Sequence, residues 1–94
     1  MKILWSAEAK KSLRSIRDYI AHDSEVYATQ MVARIIERVE RAARHPGQGH
    51  PVHEYPEKPL KEVHERPYRI IYEYTVDELR VITVVHFREQ RLPG

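Results

Sequence analysis

The stretch RPYRIIYEY, Arg66 to Tyr74, decides how the chain is to be read. Its side chains alternate: Tyr68, Ile70, Tyr72 and Tyr74 fall on one face, and Arg69, Ile71 and Glu73 on the other. Aromatic and β-branched residues at this period predict a strand with one face buried. Arg69 then stands on the second face. It is either an ordinary solvent-facing charge or the centre of a site on the open side of a sheet.

Outward from that strand the pattern repeats. LKEVHE before it and LRVITVVHF after it also read as strands, joined to it through the turn signals ERP and VDE. The last strand is apolar on both sides, with Val81, Val85 and Phe87 on one and Ile82 and Val84 on the other. Such a strand belongs inside a sheet, so the short N-terminal strand KILW (Lys2 to Trp5) is expected beside it. Between these lie two helical stretches. Ser6 can cap the first, in which Ala9, Leu13, Ile16 and Ile20 form one stripe. Ser24 can cap the second, in which Ala28, Val32, Ile35, Val39 and Ala42 form a row widened by Met31, Ile36 and Ala43. Glu37 precedes Arg41 by four and Glu40 precedes Arg44 by four, the favourable order for exposed ion pairs. HPG (His45 to Gly47) ends this helix, and the Pro- and Gly-rich stretch from Pro46 to Pro59 is a loop. The expected fold is α+β, ordered β-α-α-β-β-β, with a helical hairpin on one face of a mostly antiparallel four-stranded sheet. The other face is open or partly covered.

Composition narrows the function classes. Ninety-four residues make a single domain, residues 1–94, with one small core. No cysteine is present, which removes disulfides and thiolate metal sites and suits a reducing cytoplasm. No apolar run is long enough to serve as a signal-peptide core or to cross a membrane. The formal charge of +2 does not by itself point to nucleic acid, although FREQRLPG ends the chain with Arg88 and Arg91 close to His86. His45, His50 and His53 share a loop region without the spacing a metal site needs, and are expected to be surface histidines. There is no phosphate-binding glycine loop and no G-x-S-x-G nucleophile elbow.

One cluster could carry chemistry. If the helices cover the face bearing Tyr68, Ile70 and Tyr72, Arg69 points to the open face. Plain alternation along the last strand puts His86 and Arg88 with Ile82 and Val84, on a surface where they could meet Arg69. Arginine offers a fork of donors to phosphate oxygens, and histidine moves protons near neutral pH. Solvated charges at strand ends would look the same.

The segments AEAKKSLRSIRDYI, HPGQGHPV, LKEVHERPYRIIYEY and ITVVHFREQRL together resemble the ParE branch of the RelE/ParE toxin superfamily. YRIIY and the V-H-x-R near the C-terminus are the most specific parts. The resemblance spans nearly the whole chain and implies the same fold, a cytoplasmic bacterial type II toxin, and a cognate antitoxin encoded beside it. It implies no cofactor and no metal. The antitoxin would be a disordered acidic and hydrophobic segment that folds on the toxin, as a helix in a groove or a strand on an edge. RelE-like members cut messenger RNA in the ribosome without a metal. By that likeness Arg69 and Arg88 would stabilise the phosphorane, His86 would carry a proton, and Lys61 would be a weaker candidate. No tyrosine follows Arg88, however, and Glu62, Glu65 and Glu73 thin the positive field that an RNA backbone requires. ParE-like members instead inhibit DNA gyrase by stabilising its cleaved-DNA state, which needs no catalytic residues. That target is the main expectation, with Arg88 and Arg91 as gyrase contacts. The alternatives are the ribosome-dependent nuclease and a member that retains antitoxin binding alone.

Overall fold

The computed structural model describes residues 1–89. The elements run β1 (Lys2–Trp5), α1 (Ala7–Ala21), α2 (Glu25–Arg44), a 3-10 turn (Pro46–Gln48), β2 (His50–Pro51), β3 (Lys61–Glu65), β4 (Tyr68–Tyr74) and β5 (Glu78–His86). Local chemistry starts both helices where their caps predict. The Ser6 hydroxyl accepts from the Ala9 amide at 2.9 Å, and that of Ser24 accepts from the Tyr27 amide at 3.1 Å. Ser6 also donates to the Ile82 carbonyl at 2.7 Å, which pins the start of α1 to β5.

The five strands are ordered β1-β5-β4-β3-β2, with β1 parallel to β5 and every other pair antiparallel. The expected neighbour of β5 is therefore found. The sheet differs from the expected four strands by the two-residue β2, which pairs His50 with Glu62 and Pro51 with Lys61. Two residues inside a Pro- and Gly-rich loop carry no periodicity from which a strand could be read.

The helical hairpin covers one face of the sheet. Ala9, Met31, Ile35, Val39 and Ala42 pack there on Val63, Tyr68, Ile70, Tyr72, Leu79, Val81 and Val84. The loop between β2 and β3 partly covers the other face, where Val52, Tyr55 and Leu60 meet Ile71, Ile82 and Val85. The two exposed ion pairs expected along α2 do not close within 4 Å among the described residues. Arg41 reaches across to Glu65 of β3 instead, at 3.9 Å.

One irregularity controls everything at the end of β5. Ile71 pairs with Thr83 and Tyr72 with Val81, so Ile82 is an extra residue, a β-bulge. Past it the alternation changes phase. Val81 and Val84 both face the helices, whereas Ile82 and Val85 both face the loop.

Candidate functional site

Arg69 does lie on the face away from the helices, opposite Val85 of β5 and His64 of β3. It is not an open-surface cation, because only 7% of it is exposed. Its Nε donates to Glu62 Oε2 at 2.6 Å, and its two terminal nitrogens donate to Glu54 at 2.7 and 2.9 Å. The second contact is a bidentate fork, the strongest geometry that a guanidinium and a carboxylate can form. It ties the covering loop to β4. The Arg69 hydrogen bond holds the Glu54 carboxyl below its ordinary value, and the Glu54 bond in turn raises Arg69 above its own. Two carboxylates on one guanidinium leave a formal charge of −1, which repels phosphate.

Beside this clamp, His64 Nε2 sits 3.6 Å from Glu62 Oε1, too far for a hydrogen bond, and is buried with no partner among the described residues. Burial pushes its pKa down, against the opposing pull of Glu62. The ring stacks on His50 at 5.0 Å and meets the Phe87 ring edge-on at 4.8 Å. The Arg66 guanidinium lies over Phe87, 4.7 Å from its centroid. Of the loop histidines, His50 therefore has a packing role. No group of three metal-ligating side chains converges among the described residues.

The structure does not bring His86 to Arg69. His86 pairs with Tyr68 on the helix face, their rings edge-on with centroids 5.6 Å apart. Its Nδ1 accepts from the Arg88 amide at 3.0 Å. The expected common surface is overturned by the bulge at Ile82, since one inserted residue carries every later side chain to the opposite face. His86 instead lines a cavity of about 360 Å³ with Ser12, Ser15, Tyr68 and Thr83, where the Ser12 and Thr83 hydroxyls lie 3.2 Å apart. Arg88 is exposed in the turn after β5. Lys61 starts β3 opposite Tyr72, on the face away from Arg69's. Arg91 lies outside the described residues.

A second polar feature was not marked by any motif. Arg38, Arg41, Arg44 and His45 line a cavity of about 540 Å³ at the C-terminal end of α2, with Ala42, Gln48, Gly49 and Val63. Its sequence signal is an arginine every three residues on one helix flank, which the neighbouring glutamates disguise as ordinary ion-pair spacing. Glu54 is equally unmarked, a single acid in an irregular loop.

The family model described as ParE toxin of the type II toxin–antitoxin system parDE matches residues 3–91. The chain belongs to the ParE toxin family. Among solved structures, this ParE chain is similar to one from the chromosomal ParDE toxin–antitoxin system of P. aeruginosa. Identity is 21%, the match covers 92% of this chain and 95% of that one, and the TM-score is 0.77. It is also similar to a chain of the RelBE2 toxin–antitoxin complex of Mycobacterium tuberculosis. There the identity is 16%, the coverage 90% and 95%, and the TM-score 0.65. No curated protein sequence matches it significantly. Likenesses at these identities establish the ParE fold, and the family model establishes the membership. No helix among the described residues is long and apolar enough to cross a membrane.

Proposed function

We propose that this ParE chain is a toxin that poisons DNA gyrase by stabilising its cleaved-DNA state, acts in the cytoplasm, and is neutralised by a cognate antitoxin. The observation that carries the choice of target is the occupation of Arg69 by Glu62 and Glu54. A nuclease of the RelE type would use Arg69, His86 and Arg88 together on one RNA phosphate. Here the first is neutralised and the second lies on the opposite face of the sheet. A gyrase poison needs a complementary surface rather than a catalytic group, and exposed Arg88 with Arg91 is the part proposed to touch the enzyme. Family membership supports the toxin role. That the two similar structures come from ParDE and RelBE2 systems supports an antitoxin partner.

The test is a gyrase cleavage assay with antitoxin-free protein, ATP and supercoiled plasmid. Linear DNA is expected to accumulate after protein digestion, and Arg88→Ala is expected to reduce it without lowering the melting temperature. Folded protein that arrests growth and leaves gyrase unaffected would overturn the gyrase target. Cleavage of ribosome-bound message by that same protein would then restore the nuclease alternative.

A further inference from the structure

We infer that the groove between the C-terminal half of α2 and strand β3 is a docking site for an acidic segment of a protein partner, with its carboxylates on Arg38 and Arg44. The inference rests on the antitoxin part of the proposed function and is independent of gyrase. Three arginines from one helix face this groove, and its interior charge is unbalanced. Arg38 is half-buried, and neither it nor Arg44 has a carboxylate within 4 Å among the described residues. Arg41 has only Glu65, at 3.9 Å and half exposed, a pair of small energetic value. Partial burial of an uncompensated guanidinium is unfavourable, and an incoming anion offsets that cost.

The shape favours a peptide over a nucleic acid. Ala42 and Val63 supply apolar lining between the charges, against which an aliphatic side chain can rest. Glu65 stands beside the groove at Arg41, where it would repel a continuous phosphate backbone but can be avoided by spaced carboxylates. Arg38 and Arg44 are six residues apart on the helix, a rise of roughly 9 Å. A segment in polyproline II conformation has three residues per turn and rises about 3.1 Å per residue, so positions three apart lie on one face at about that spacing. Glutamates three apart, with aliphatic residues between them, therefore match the arginine spacing and the apolar lining together.

The experiment titrates the protein with a short fluorescent peptide carrying glutamate at every third position and leucine or valine between. Its glutamine counterpart and a single-stranded oligothymidine are the comparison probes. The acidic peptide is expected to bind about tenfold more tightly than the glutamine peptide and to weaken by about tenfold with the Arg38→Gln, Arg44→Gln double variant. Amide shifts are expected to concentrate at Ala42, Gly49 and Val63. Glu65→Gln, which releases Arg41, should tighten binding, a gain that misfolding would not produce. The inference is overturned by equal binding of the glutamine peptide, by an unchanged double variant, by shifts elsewhere, or by no binding at all. Tighter binding of oligothymidine would make the groove a nucleic-acid surface instead. The peptide titration contains no gyrase, so failure of the gyrase assay leaves its outcome readable.

Discussion

At the scale of single residues, Arg69 is the informative position. It holds Glu54 and Glu62 together in a nearly closed environment, so removing it leaves two carboxylates facing each other. Breaking a buried pair in this way costs about 3 kcal/mol, and for a chain of this size that lowers Tm by roughly 12–24 °C. Arg69→Ala should therefore melt far below the parent protein, and neutralising both acids in the same variant should recover much of the loss. Loss of toxicity in Arg69→Ala would then report folding rather than chemistry. Two neighbouring groups make stability depend on pH. Burial holds His64 below 6.5, and the Arg69 hydrogen bond holds Glu54 below 4.5. In both cases the folded state binds fewer protons than the unfolded chain, so stability rises with pH across each window. Urea unfolding should show stability falling as the pH drops from 6.5 through the folded His64 value. It should fall again from 4.5 through that of Glu54. His64→Gln should remove the first decline and leave the second.

At the scale of elements, the tightest approach is at Gly49, where the chain enters β2. A Cβ there would lie 2.3 Å from the Tyr72 hydroxyl and 3.1 Å from Lys61 Cβ. The backbone of Gly49 is ordinary extended chain, with φ −65° and ψ 163°, so space alone requires the glycine. Tyr72 is fully buried and donates from the same hydroxyl to the Pro46 carbonyl. Gly49→Ala should destabilise by about 1–3 kcal/mol, as overpacking usually does. In a Tyr72→Phe background the same change should cost less, which a double-mutant cycle on urea midpoints would reveal. Both helices and four of the five strands were legible because caps, stripes and β-rich runs announce them. Ser6, Ser24 and the row from Ala28 to Ala42 are where that pattern placed them. The bulge at Ile82 was not legible, since LRVITVV alternates as well with an inserted residue as without one. That single unseen residue separated His86 from Arg69. Arg69's face was read correctly from YRIIYEY, but its partner Glu54 comes from a loop whose path no local rule dictates.

At the scale of the whole molecule, the sheet holds together two cores of unequal size, one under the helices and one under the loop that Arg69 fastens. The order of strands in space differs from their order along the chain in one respect. Among the described residues, the first strand in chain order, β1, pairs with β5, the last. The Ser6 to Ile82 hydrogen bond closes a span of 76 residues. On a translating ribosome at roughly 5–20 residues per second, that span takes about 4–15 s to synthesise. Throughout that interval Ile3 and Trp5 of β1 lack the strand they pair beside, while α1 has α2 to pack on. The growing polypeptide is thus denied a native intermediate containing β1, and its sticky surfaces call for chaperone cover until β5 emerges.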